Sequence, residues 1–376
     1  MKQIIVLLSA LLISTNALSG WFGDTFIDPS DGQLDLSNWL LNKKGFLPVP
    51  ILITEPAIGY GAGLALAYFH DNLGGNKDGI PPSISVAAAA ATENGTWFAG
   101  GGHLGIWKQD NIRYKGGIGT GLIKMDFYGV TDDPGSNSNA SVGFETEAVF
   151  LLQELQFRLR GSDFFAGANY TLIDTKNTFR LTGNTPSTPD LPGIKLDSRS
   201  AALGLILEYD SRNNILTPSD GTHAQVKTQF FNENLGSDDD FNKYSGFIKH
   251  YTHFTENWVL GLRADAESVD GDAPFYAYPF IQMRGIKAMR YQGEQTLLGE
   301  FELDWTFAPR WTLVGFAGAG KTYSSGNKGN SDLIISRGLG IRYLIASKLG
   351  LQMGVDVAKG PEDTALYIQM GSAWVY

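Results

Sequence analysis

Gly299-Glu300-Phe301-Glu302-Leu303-Asp304-Trp305-Thr306-Phe307 is the stretch whose reading decides the fold. Phe301, Leu303, Trp305 and Phe307 share one face, and Glu300, Glu302, Asp304 and Thr306 share the other. A period of two is the signature of a strand, since successive side chains point to opposite faces of a sheet. The stretch 349–357 repeats the pattern, with Leu349, Leu351, Met353, Val355 and Val357 against Gln352, Gly354 and Asp356. So does 366–376, where the even positions read Leu366, Ile368, Met370, Ser372, Trp374 and Tyr376. A soluble sandwich would show the same alternation with its apolar face inward. Soluble strands average about 5–6 residues, and these run longer. Apolar residues outside and charge inside fit a transmembrane barrel with a wet lumen.

Outward from that stretch, the chain reads as sixteen strands. They lie near 46–55, 57–70, 83–92, 95–107, 112–128, 145–160, 164–178, 198–212, 221–233, 244–255, 258–271, 295–307, 311–323, 331–346, 349–360 and 364–376. An even number is what a closed antiparallel bacterial barrel requires. Connections sort by parity if the last strand runs toward the periplasm. The far side holds 129–144, 179–197, 234–243, 272–294 and 324–330, and the near side holds the tight turns 108–111, 161–163, 256–257 and 308–310. Long outer loops and short periplasmic turns are the barrel pattern. The long near-side connection 71–82 and the short far-side Glu93-Asn94 depart from it.

Composition agrees. Glycine is 46 of 376 residues, about 12% against a usual ~7%, and charged residues are only 18%. With no cysteine, the chain has no disulfide scaffold, no cysteine zinc site and no thiol nucleophile. Its net charge of −10, without Lys/Arg blocks, argues against nucleic acid as a partner. At the N-terminus, Lys2 precedes an apolar run from Ile4 to Ile13 and the small-residue stretch 14–20. This reads as a cleavable signal peptide over 1–19, because ten apolar residues are too few to span a bilayer as a helix. Residues 20–45 form a short periplasmic lead-in, and 46–376 form one barrel without an internal boundary.

Catalytic motifs are absent. The five histidines show no metal-ligand spacing, and there is no GxSxG, HExxH or GxxxxGK[ST]. No metal, cofactor or enzymatic activity is expected. The lumen face is rich in carboxylates: Glu208, Asp210, Asp265, Glu267, Glu300, Glu302, Asp304 and Asp356. A solvated or salt-bridged lumen accounts for them.

The loop at 272–294 (DAPFYAYPFIQMRGIKAMRYQGE) is too apolar to hang in water. Phe275, Tyr276, Tyr278, Phe280, Ile281, Met283 and Ile286 surround Arg284-Gly285. Such a loop is expected to fold back into the barrel, where a desolvated guanidinium needs carboxylate partners.

Met283-Arg284-Gly285-Ile286 resembles the [VI]RG[FY] lumen-loop motif of the BamA/TamA family, the bacterial surface antigen superfamily of sixteen-stranded outer-membrane barrels. Asp210-Ser211-Arg212 with Pro218 and Gly221 resembles that family's D-x-R…P-x-x-G strand and turn. The stretches 299–305, Gly315 to Gly320, Gly338 to Tyr343 and Asp356 follow in the family's order, so the likeness runs over about 200–376. Trp374 and Tyr376 resemble the aromatic end of a terminal signal strand. The family's lumen arginine pairs with the Asp of F-x-D-x-G. That position is Gly318 here, and Glu302 or Glu300 is expected to stand in. The family's periplasmic POTRA domains are not expected in the roughly 25 residues of the lead-in.

The resemblance implies an outer-membrane protein acting in insertion or export of protein or lipid, by opening between its first and last strands. Its partners would be outer-membrane lipid and client proteins or a separate periplasmic protein. The alternatives are a passive pore with a cation-preferring acidic lumen, and an outer-membrane lipid hydrolase, for which no Ser-His constellation is in place.

Overall fold

The computed structural model describes residues 26–41, 44–71, 81–127, 142–180, 197–325 and 331–374. The expected signal peptide lies outside them, as does most of the connections at 71–82, 129–144, 179–197 and 324–330. All sixteen strands join one sheet in sequence order, each antiparallel to its neighbours. They are β1 (Gly45–Ile53), β2 (Gly61–Phe69), β3 (Ile84–Thr92), β4 (Trp97–Trp107), β5 (Ile112–Phe127), β6 (Val142–Arg158), β7 (Phe164–Arg180) and β8 (Asp197–Asp210). The second half comprises β9 (Gly221–Phe231), β10 (Phe241–Thr255), β11 (Trp258–Gly271), β12 (Gln295–Ala308), β13 (Trp311–Tyr323), β14 (Ile334–Ala346), β15 (Leu351–Lys359) and β16 (Thr364–Met370). One five-residue helix, α1 (Ser37–Leu41), precedes β1.

The period-two pattern decides which face is which. Phe46, Ile118, Leu205, Val226 and Leu339 lie exposed on the outer wall, while Glu208, Lys249, Arg263, Glu300, Arg342 and Asp356 are buried inside. An apolar exterior around a charged interior is stable only where lipid covers the outside. Aromatic pairs mark a belt near the end where β16 finishes, here called the near end. They include Phe46–Tyr68 at 4.9 Å, Trp107–Tyr114 at 5.7 Å, Phe164–Tyr209 at 4.8 Å, Trp258–Trp305 at 5.6 Å and Trp311–Tyr343 at 4.9 Å. Amphipathic rings of this kind favour the bilayer interface.

The last strand corrects the sequence reading. It ends at Met370, six residues before the expected Tyr376, which lies outside the described residues. Gly371 takes a left-handed backbone (φ 77°), and the chain turns inward. Trp374 is therefore not a wall residue. It is buried at 2% exposure, with its ring 6.0 Å from that of Tyr251 and its carbonyl accepting from Lys249 Nζ at 2.6 Å.

Wall height varies around the barrel. β6 and β7 have 17 residues each, β1, β2, β3 and β15 have 9, and β16 has 7. At about 3.3 Å per residue, that is a change from ~56 Å to ~23 Å of strand. A tilted strand needs about 9–11 residues to cross the hydrocarbon core, so the sheet is shortest at its own two edges.

Candidate functional site

The connection between β11 and β12 folds into the lumen. Ile281, Met283, Ile286 and Tyr291 form a buried apolar cluster with Leu298 and Ile334 of the wall. Gly285 reaches a tight turn through φ 85°, and its carbonyl comes so close to Gly360 that a Cβ there would lie 2.1 Å from it. The Gly285 amide donates to the Tyr367 hydroxyl at 2.9 Å, and Ser336 Oγ donates to the Arg284 carbonyl. Backbone anchors thus hold the turn against β14–β16.

Arg284 is 8% exposed. Its Nη1 donates to Asp356 Oδ2 at 2.8 Å, and its Nη2 lies 2.6 Å from Glu302 Oε2, an ion pair outside hydrogen-bond alignment. The guanidinium also lies over the Phe316 ring, 3.5 Å from its centroid. A buried guanidinium needs this combination, since an unpaired charge at that depth is costly. Asp356 is shared, because Arg342 donates to both of its oxygens at 2.5 and 2.9 Å. Gly340 makes room for that pair, as a Cβ there would lie 1.9 Å from Asp356 Oδ1.

Of the two expected partners, Glu302 faces Arg284 and Glu300 does not bond it. Glu300 instead accepts from Arg263 Nη1 at 2.6 Å. Asp356 carries the hydrogen bond, a role that spacing did not reveal because it lies 72 residues downstream. Gly318 has a steric reason to lack a side chain. A Cβ there would lie 2.5 Å from Glu300 Cγ and 3.0 Å from Met283 Sδ.

Asp210 and Arg212 pair locally at 2.8 and 3.0 Å, where β8 leaves the wall. Gly221 closes the turn with φ 98°, and Pro218 is buried within it. Glu208, Asp210 and His223 bring ligand-type atoms within 4.8 Å of one another. Arg113 donates to both carboxylates at 3.2 and 3.0 Å, and Gln156 and Gln225 donate to Glu208. Cationic and amide donors therefore already meet this charge. The guanidinium groups of Arg113 and Arg158 both lie over the ring of the fully buried Phe165, 3.9 and 4.3 Å from its centroid.

Residues 26–41 cross the near end of the barrel. Asp28, Asp31 and Asp35 converge on Arg310 in the β12–β13 turn, at 2.7, 2.5 and 2.6 Å. Leu40 of α1 packs with Leu47, Ala67 and Phe69 of β1 and β2, and with Ile345, Ala346 and Leu351 at the β14–β15 turn. The segment therefore touches both sides of the meeting point between the first and last strands. The carboxyl of Asp35 is raised by burial, but hydrogen bonds from Ser347, Ser37 and Arg310 outweigh this and hold it well below the usual range.

That meeting point is a seam. No ladder joins β1 to β16 among the described residues. Ile368 N donates across it to Thr54 Oγ1 at 3.4 Å. Antiparallel continuation from this contact sets Met370 about level with Leu52.

A family model, the Omp85 superfamily domain, matches residues 125–372. No curated protein sequence matches the chain. Among solved structures, BamA from Haemophilus ducreyi lacking POTRA domains 1–3 aligns with TM-score 0.56 and 12% identity, over 87% of this chain and 69% of that one. CdiB from Escherichia coli aligns with TM-score 0.57 and 11% identity, over 86% and 61%. CdiB from Acinetobacter baumannii aligns with 0.53 and 9%, over 86% and 59%. This chain thus spans less than two thirds of either CdiB chain. At such identities the likeness is one of fold. The family match covers well over half of the sequence, so the chain belongs to the Omp85 superfamily, as a β-barrel of the bacterial outer membrane.

Proposed function

We propose that this barrel acts in insertion or export of protein or lipid at the outer membrane, through widening of the seam between β1 and β16. The observation that supports this most directly is the seam itself. Two short edge strands meet there without a ladder among the described residues, whereas every other neighbouring pair is joined by one. Separating β1 from β16 breaks few backbone hydrogen bonds. Separating β6 from β7 would break a long ladder in a medium where unpaired N–H and C=O groups cost several kcal/mol each.

The lumen is obstructed at two levels, which fits lateral release better than free passage. The loop locked by Arg284 lies against β12–β16, and α1 with residues 371–374 occupies the near end. In this reading Arg284 sets the closed lumen, and residues 26–41 steady the near end of the seam. The clients are outer-membrane proteins or lipids, met alone or with a periplasmic partner.

The test uses the chain's lack of cysteine. Vesicles holding the refolded barrel are given an unfolded outer-membrane β-barrel as client, and its rate of folding is followed. The expected result is faster folding than in empty vesicles, abolished by an oxidised Leu52→Cys/Met370→Cys pair across the seam and restored by reductant. Equal rates with the seam locked and unlocked would reject the reading. Large, steady conductance in planar bilayers that ignores Arg284→Ala would favour a passive cation-preferring pore instead.

A further inference from the structure

The β1 sequence, Gly45-Phe46-Leu47-Pro48-Val49-Pro50-Ile51-Leu52-Ile53, carries two prolines in phase. In an antiparallel ladder, the backbone N–H and C=O of alternate residues point to opposite neighbours. Residues 48 and 50 therefore point the same way. The β1–β2 ladder runs unbroken from Gly45–Phe69 to Ile53–Gly61. On β2, the even residues face β3. His70 N donates to Ser83 O at 3.1 Å, and Tyr60 O accepts from Glu93 N at 2.9 Å. The odd residues of β2 therefore face β1, and they pair with odd residues of β1. This leaves the even residues of β1, Pro48 and Pro50 among them, facing the seam. Proline has no N–H to give, so the seam edge of β1 offers carbonyls at both positions and donors at neither.

The opposite edge has the matching phase. Ile368 N points across the seam to Thr54, while Gly371 N donates back to Gln352 O of β15 at 2.8 Å. The even residues of β16 are thus its seam-facing set. Continued from Ile368 beside Thr54, the register brings Met370 to Leu52, Ser372 to Pro50 and Trp374 to Pro48. The chain leaves the wall where the first proline comes opposite. Gly371 turns, Ser372 N donates instead to Leu216 O at 2.7 Å in the β8–β9 turn, and Trp374 enters the lumen.

We propose that Pro48 and Pro50 end the seam: they deny residues 371–374 a ladder on β1, divert that segment into the lumen, and leave a standing lateral slit at the near end of β1. At Pro48 and Pro50 the edge of the slit offers acceptors and no donors. A strand from another chain cannot zip along β1 past Leu52, so β16, with Leu366, Ile368 and Met370 carrying both donors and acceptors, is the edge able to template one. This last consequence rests on the proposed lateral function, while the diversion of the C-terminal segment does not.

The experiment traps the segment without any client. In the cysteine-free chain, Leu216→Cys/Ser372→Cys reports residues 371–374 in the inward position. Disulfide yield is measured on the refolded barrel in detergent, with prolines intact and with Pro48→Val/Pro50→Val, alongside amide exchange at Leu366, Ile368 and Met370. The single variants Pro48→Val and Pro50→Val are run beside the double, so that a folding defect in one leaves two others to read. The expected result is a disulfide in most molecules of the proline form and at least a fivefold lower yield in the valine form, with slower exchange at the three amides. An equal yield in both forms overturns the proposal, whatever the exchange shows. Because no client is present, loss of insertion activity in the vesicle assay leaves this outcome unaffected.

Discussion

The wall at β5–β8 and the wall at the seam are built from the same alternating pattern, yet they differ in what holds them. Around β6 and β7, strands of 17 residues are backed inside by Phe165, Arg113, Glu208 and the amides of Gln156 and Gln225. At the seam, a strand of nine residues with two prolines meets one of seven, and closure falls to side chains and to the segment 26–41 beneath. The difference teaches that a closed barrel need not be uniformly closed. Long ladders make one side a rigid frame, and the side without a ladder is held by fewer backbone hydrogen bonds.

The sharpest way to break the contrast is to damage the frame. Phe165→Ala removes a fully buried ring against which two guanidinium groups rest, and should cost about 3–5 kcal/mol in denaturant unfolding from detergent. If the loss were instead within experimental noise, the rigidity of that wall would lie in its ladders alone. Next comes the lumen lock. Arg284→Ala strands Glu302, while Asp356 keeps Arg342, so a loss of about 2–3 kcal/mol is expected, with larger and less steady openings in planar bilayers. Arg284→Lys should recover little of this, since an ammonium cannot both reach two carboxylates and lie flat on Phe316.

A smaller effect is expected at the near end. Arg310→Ala unpairs three carboxylates, two of which keep some access to water, so about 1–2 kcal/mol is expected. Protease cleavage within 26–41 should rise while the wall stays intact. The smallest effect is that of pH. Asp35 has a carboxyl held below its ordinary value of 3.8, so its contribution is complete above that pH and fades as the pH falls toward the depressed value. Limited proteolysis should find the segment docked at pH 5 to 7 and loosened only below about pH 3.8. Release near pH 6 would show that another group holds it.

Much of this was legible because strand chemistry is local. Every strand from 258–271 to 311–323 lies within a residue of its reading, because polar and apolar residues alternate along 262–267 and 299–307 and tight turns at 256–257 and 308–310 bound the strands. The loop at 272–294 betrayed its inward path by being too apolar for water. Trp374 was misread for the same local reason. Its phase continues that of Ile368 and Met370, and nothing nearby shows that the ladder partner has run out of donors. Glu300 and Glu302 were equal candidates for Arg284, because both point inward from one strand. Arg263, on the neighbouring strand, separates them by taking the first.

The sequence by itself determined the strand count, the lipid and lumen faces and the buried Arg-Gly turn, since each follows from periodicity or from the cost of exposing apolar residues to water. Only the tertiary structure decided that Asp356 shares Arg284 with Glu302, that Asp28, Asp31 and Asp35 meet at Arg310, and that the C-terminal segment turns inward. Asp356 lies 72 positions from Arg284 and Asp28 lies 282 from Arg310, while the inward turn depends on which edge of β1 faces which neighbour. Pairing at that range is set by barrel closure, and closure is a property of all sixteen strands together.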